Sequence, residues 1–348
     1  MFNINRIAGV VTTFVLATGA HAQANLTAET ASPVSAPGVT VLALSELASS
    51  AGIANIQVSV GQTLTNSVQN VAEGKTDIAA APFALPFLMS KGVGPYATLG
   101  NEKGAELAAN LAVLYTYRFA VYAISSYEST NFGGYGAIEG ATIYNGPPRG
   151  AALNRARAMV KLATGLDDGA GYTGVQVNWG QSVKTITDGT AAAQILPMNF
   201  PDARQGQAAA SGAMVVHSYP KNIFESEVGQ KYAKAPGTAG VKVEIADKMF
   251  GPKFSVISED NMFRGYADIG GEVVNVAMDD EMAYALTKAF LDGQDVLLAK
   301  SPMMKATWLT ETALDFTGMC GPMPMKYHPG AVRAWEEAGF TLPDCAKP

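Results

Sequence analysis

The chain has 348 residues, 48% of them hydrophobic and 16% charged, which is enough apolar material for one large or two medium cores and excludes a disordered chain. Its net charge is −6, its pI is near 5.2 and it has no basic block, so nucleic acid and anionic membrane surfaces are poor partners. No later stretch is continuously apolar for the ~20 residues a membrane span needs.

At the start, Arg6 is the lone positive charge, Ile7 to Thr18 form a short apolar run and Ala20-His21-Ala22 supplies small residues at the positions a signal peptidase reads. Residues 1–22 therefore read as an export signal cleaved after Ala22. Residues 23–38 are rich in Ala, Thr, Ser and Pro without a period, and we read them as a disordered leader, with order beginning near Val39.

Two distant segments then echo each other. Ile56-Gln57-Val58-Ser59-Val60-Gly61-Gln62 is matched by Val175-Gln176-Val177-Asn178-Trp179-Gly180-Gln181, each an alternating strand running into Gly-Gln. In both places a helix-like stretch, a Gly stop and a short apolar strand with Pro follow, ending at Pro82 and Pro197. A chance echo in an Ala/Gly/Val-rich chain is the plain alternative. A pair of βαβ units is the structural one, and it implies two similar α/β lobes. Ligands sit beyond the carboxyl ends of such strands, so Gln62, Pro82, Gln181 and Pro197 are expected at one crevice.

Between these units Leu111 to Ser125 holds two apolar strand-like runs broken at Tyr117-Arg118, and Glu128 to Gly140 is a glycine-rich loop. We place the first crossover between lobes there, with Arg118 either reaching the cleft or standing at its rim. The second crossover is expected near Pro252 to Gly271, flanked by strands at Phe254–Ile257 and Val273–Met278. The expected division is residues 39–125 for the first part of lobe I, 126–255 for lobe II, and 256–348 for the return to lobe I with C-terminal helices.

Ala141 to Ala152 reads as strand and Gly/Pro loop, and Leu153 to Thr164 as a helix stopped by Gly165, with apolar residues at Leu153, Ala156, Met159, Val160 and Ala163. Such a loop gathers unpaired N–H groups that favour an anion, and Arg149 stands in it. Its planar fork suits a carboxylate, sulfonate or phosphate. A solvent-facing arginine is the plain alternative.

Towards the end, Asp279, Asp280 and Glu281 crowd the first turn of a helix over Met282 to Leu291, where acids suit the helix dipole. Met319, Met323 and Met325 read as core filler, and His328-Pro329-Gly330 opens a helix ending at Gly339. Cys320 and Cys345 are the two cysteines. A disulfide is their natural pairing in an exported chain, a redox pair the rival without C-x-x-C spacing.

His217 and His328 stand apart from other ligand-type residues, so no metal or other cofactor is expected. No nucleophile elbow, Walker loop, dinucleotide fingerprint or H-E-x-x-H occurs. The pattern favours binding without turnover, although folding can still bring scattered carboxylates together as a catalytic dyad.

Four passages, Gln69 to Ala79, Asn145-Gly146-Pro147-Pro148, Trp179-Gly180-Gln181 through Asp188-Gly189, and His328 to Arg333, resemble the TAXI-type solute-binding subunit of tripartite ATP-independent periplasmic (TRAP) transporters. The resemblance implies a type II periplasmic binding protein: two α/β lobes with a central cleft and two hinge crossovers, closing on an acidic small molecule and presented to membrane permease subunits. Three departures stand out. The first ligand-contacting turn looks shortened, because Val41 to Leu47 runs almost directly into Ser49-Ser50-Ala51-Gly52. Gly61-Gln62-Thr63-Leu64-Thr65-Asn66 replaces a Gly-Gly-Ser helix start, and Arg149-Gly150-Ala151-Ala152 replaces Gly-Ser-Gly-Thr.

Together these readings give a periplasmic receptor for a small organic anion. Pro148, Arg149, Gly150 and Ala151 would hold its charged end, Gln62, Thr63, Asn66, Gln181 and Asn199 would hydrogen-bond the rest, and Pro82, Phe83 and Phe200 would form apolar walls. A sensor signalling to a membrane kinase and a periplasmic enzyme on the same scaffold are the rival functions.

Overall fold

The computed structural model describes residues 23–348 apart from position 149. The first half-fold runs β1 (Ala24–Glu29), α1 (Ala36–Ser50), β2 (Ala54–Ser59), α2 (Leu64–Ala72) and β3 (Ile78–Pro82). β1 lies between β2 and β3, and all three are parallel. After α3 (Ala84–Lys91) and α4 (Gly100–Ala109), the 17-residue β4 (Leu111–Tyr127) leads into a second half-fold: β5 (Thr142–Tyr144), α5 (Ala151–Thr164), β6 (Thr173–Val175), α6 (Ser182–Thr187) and β7 (Ala193–Met198). Here β5 lies between β6 and β7, again all parallel. The two echoing segments thus occupy the same place in two halves of identical strand order.

The chain continues through α7 (Ala203–Ala209), β8 (Met214–His217), α8 (Lys221–Phe224), α9 (Glu227–Ala233), β9 (Thr238–Glu244), β10 (Phe254–Ile257) and β11 (Met262–Asn275). It ends with α10 (Asp280–Asp292), α11 (Gln294–Lys300), α12 (Leu314–Thr317), β12 (Lys326–Tyr327) and α13 (Pro329–Glu337). β11 runs antiparallel to β4 from Tyr266 opposite Tyr122 to Asn275 opposite Leu111, with a register shift at Asp268/Ile269. β3 adds to the second half of β11, with Pro82 opposite Gly270, while β7 adds to the second half of β4, with Met198 opposite Val121. The two long strands are therefore shared between lobes, and the molecule is a two-lobed α/β fold. A large core centred on lobe I includes Val41, Leu44, Val113 and Leu286, and a separate core under α5 includes Ile143, Met159, Val160 and Ile195.

Three expectations are corrected. Residues 23–38 form no disordered leader: β1 pairs with β2 over its whole length, and Ser35 caps α1 by accepting from the Gly38 amide, with Pro37 in the first turn. The first strand–turn–helix is consequently intact, and Val41 to Leu47 lie inside α1. Nor is the first crossover the loop after Glu128; it falls inside β4, which continues through Arg118 because the bulge lets β11 stay paired on both sides of it. The return crossover lies within β11, where Asp268 and Ile269 pass between lobes.

Elsewhere local chemistry sets the elements as read. Gly165 ends α5 at φ 75°, the Asp279 carboxylate accepts from the Glu281 and Met282 amides at the start of α10, and His328 caps α13. Met319, Met323 and Met325 are buried. Cys320 and Cys345 form a disulfide with a sequence separation of 25, tying the last residues to the segment before β12. Replacing both cysteines by alanine is expected to lower stability by about 3 kcal/mol, the loop-closure entropy of a ring of that size. An unchanged denaturation midpoint against the oxidised wild type would refute this.

Candidate functional site

The carboxyl ends of the two parallel sheets approach one level of the bridge. β3 ends at Pro82 beside Gly270, which is also paired with Tyr117, and β7 ends at Met198 beside Val121. Tyr117 and Val121 are four residues apart on one strand, about 13 Å at its usual rise. On the lobe I side the turns after β1 and β2 are locked together, the Gly61 amide donating to the Ala31 carbonyl and the Gln62 amide to that of Thr30, both at 2.9 Å. On the lobe II side the Asn145 amide donates to the Val175 carbonyl, and the buried Asn145 side chain joins Asp168 and Gln176.

The residues expected to bind ligand fall into three groups. Gln62, Thr63 and Asn66 on lobe I and Pro148 and Gln181 on lobe II are exposed at these rims, with Gly150 and Ala151 half-buried beside Pro148. Gln62 folds back so that its amide donates to the Val60 carbonyl at 3.2 Å. Arg149 lies outside the described residues.

Pro82 and Phe83 belong to the interior. Phe83 is fully buried, its amide donates to the Ile269 carbonyl, and its ring lies over Gly271. It is a core side chain and no cleft wall, because the chain after β3 turns the ring beneath β11. Gly237, just before β9, presses against the Ala84 backbone so closely that a Cβ there would collide with the Ala84 amide. Asn199 is also buried; its amide group donates to the Phe119 carbonyl at 3.2 Å, while its own side-chain oxygen is unpartnered among the described residues.

Phe200 is half-buried, and its ring covers Arg118. The Arg118 guanidinium lies 4.6 Å from the centre of the Phe200 ring and 5.2 Å from that of Trp308. The residue is 1% exposed, and its Nε and Nη2 have no hydrogen-bond partner among the described residues. Its backbone amide donates to the Thr307 carbonyl, which brings the C-terminal segment across the bridge at this level. Burial pushes its pKa down to about 9, still leaving it charged near neutrality. An unpaired buried cation costs several kcal/mol unless an anion meets it. The sequence carries the signal: Arg118 is the single charge within an apolar run from Leu111 to Tyr127.

A second buried arginine, Arg155 on α5, is fully committed. Its Nε and Nη2 donate to Asp268 at 2.9 and 2.6 Å, its Nη1 to the Tyr232 and Thr238 hydroxyls at 3.0 and 2.7 Å, and Nη2 also reaches the Gly237 carbonyl. Burial is the largest influence and opposes its charge, yet the Asp268 carboxylate together with Tyr232 and Tyr122 holds its pKa above the ordinary value. Arg155 fastens lobe II to the crossing point of β11 and has no donor left for a ligand. Arg204 lies 4.4 Å over the half-exposed Trp179 ring beside Gln181.

Solved structures match this fold at low identity. A protein of Bordetella bronchiseptica RB50 is similar at TM-score 0.52 and 13% identity over 91% of this chain and 99% of that one. A TRAP periplasmic solute binding protein from Desulfovibrio salexigens, solved with diglycerolphosphate, gives 0.46 and 10% over 94% and 93%. The periplasmic aliphatic sulphonate binding protein of Escherichia coli gives 0.44 and 8% over 81% and 79%. No protein-family model matches the chain and no curated relative is found. At such identities the likeness is one of fold.

Proposed function

We propose that this chain is an exported receptor for a small organic anion, which it captures between its lobes and hands to membrane permease subunits of the TRAP type, without catalysing a reaction. The observation that carries the reading is the Arg118 guanidinium, buried near two aromatic rings at the level where the chain crosses between lobes, with Nε and Nη2 unpartnered among the described residues. The rim residues Gln62, Thr63, Asn66, Pro148, Gly150, Ala151 and Gln181 are the proposed further contacts, together with Arg149 and the Asn199 oxygen. Residues 1–22 lie outside the described residues; we take them as the export signal, and among the described residues no helix is long and apolar enough to cross a membrane.

Closure follows from differential affinity: an anion that touches both lobes only when they meet favours the closed form by that difference. Charge-assisted hydrogen bonds contribute roughly 1.5–3 kcal/mol each, so Arg118→Ala should weaken binding by about tenfold to a hundredfold. A thermal-shift screen over carboxylates, sulfonates and acidic amino acids, followed by calorimetry on wild type, Arg118→Ala and Arg149→Ala, separates the two arginines. Undiminished affinity in Arg118→Ala would remove that side chain from the site. Small-angle scattering should show compaction at saturating ligand, and unchanged dimensions would count against lobe closure.

A further inference from the structure

A cavity of about 500 Å³ opens between α7, the Phe250–Phe254 segment and Ser301–Met303. Its size is that of a small-molecule site, roughly 300–1,000 Å³. Its lining residues adjoin those that cover Arg118. Pro201 lines the cavity while the adjoining Phe200 covers the guanidinium, and the Phe200 ring meets that of Phe250, another lining residue, edge to face at 5.0 Å. On the opposite side Met303 lines the cavity, and the short 3-10 turn Pro302–Ala306 carries the chain from there to Thr307 and Trp308 at Arg118. At a rise near 2 Å per residue the two features are on the order of 8 Å apart along that wall.

The charged groups of the cavity are already engaged. Its lining is mostly Ala, Pro, Phe and Met, the Asp202 carboxylate accepts the Asn199 and Gln205 amides, and the Lys253 ammonium donates to the Ala210 carbonyl at 3.2 Å. Arg118, one ring away, has Nε and Nη2 without a partner among the described residues. We infer that the captured solute is an amphipathic organic anion, its charged end on Arg118 and its apolar body in the cavity beside α7. This rests on the receptor reading and specifies the ligand class of that site.

The experiment is calorimetric titration of wild type with straight-chain carboxylates and sulfonates of increasing length, from butyrate and butanesulfonate upward. Each buried methylene contributes about 0.8 kcal/mol, so affinity should rise roughly fourfold per added carbon. Gly206 lines the cavity on α7, and a Cβ there meets nothing within 4 Å, so Gly206→Leu fills the space without backbone strain. Ala210→Leu, at the same wall, serves as the second variant, with circular dichroism melts confirming that each is folded. Both should flatten the length dependence while leaving the affinity for butyrate near that of wild type. Affinity independent of length, with Arg118-dependent binding of short anions retained, would overturn the amphipathic ligand and leave the receptor reading intact. A length dependence untouched by both variants would equally overturn the placement in this cavity. Failure of every member to bind would overturn both.

Discussion

Asp268→Ala should lower the stability of the protein by about 3–5 kcal/mol, the usual cost of leaving one buried ion-pair partner without the other. The Arg155 and Asp268 side chains are 8% and 10% exposed, so the stranded guanidinium finds little water. The Tyr232 hydroxyl, the Thr238 hydroxyl and the Gly237 carbonyl would still face it, but these are dipoles and cannot replace a carboxylate. Replacing both partners, Arg155→Met with Asp268→Leu, should recover most of the loss, because an apolar pair of similar volume avoids the desolvation that the ions incur. Guanidinium denaturation of wild type and the two variants provides the measurement. A loss below about 1 kcal/mol in Asp268→Ala would show that the pair does little to fasten α5 to the crossing strand.

The parts of the fold that could be read from sequence are those specified within a few residues. α5 has apolar positions at helical spacing and a stopping glycine, and α10 has its acids in the first turn; neither needs knowledge of what lies across the sheet. The Ile56–Gln62 and Val175–Gln181 echo was legible for the same reason and fell at equivalent places in the two halves. β1 is obscured in the sequence because the small polar composition of residues 23–38 masks two local signals: the alternation of Ala24, Leu26 and Ala28, and a Ser35 cap followed by Pro37. Site residues were harder, since lying beyond a strand's carboxyl end does not say which way a side chain turns. Phe83, the first residue after β3, turns beneath β11 into the core, while Phe200, the second residue after β7, rests on Arg118. Arg118 itself looked like an interruption between two strands. In one continuous strand with a bulge, the same residue becomes a charge that folding has to bury.

Glu272 gives the second large effect, and its sign follows from where its proton resides. The side chain is fully buried on β11, its Oε1 accepting from the Thr40 hydroxyl of α1 at 2.7 Å and from the Tyr117 hydroxyl at 3.0 Å, while Oε2 has no partner among the described residues. Burial pushes its pKa up to about 8, and the bonds from Thr40 and Tyr117 only partly oppose that. Between the ordinary value of 4.5 and about 8 the native chain holds a proton that the unfolded chain has released. The contribution of this group is therefore fully present below the lower value and is lost as pH rises through the upper one, by on the order of 3–5 kcal/mol across the window. His217 and His328 act the other way: burial lowers their pKa values, so the unfolded chain binds the extra protons and stability from them rises with pH. Subtracting Glu272→Gln from wild type cancels the histidines. The variant keeps an acceptor for Thr40 and Tyr117 but cannot ionise, so it should match wild type near pH 5 and exceed it by several kcal/mol near pH 8.5, as read from denaturation midpoints across that range. A difference that stays constant with pH would mean that Glu272 is already ionised in the folded protein, and that Thr40 and Tyr117 bind a carboxylate where we place a carboxylic acid.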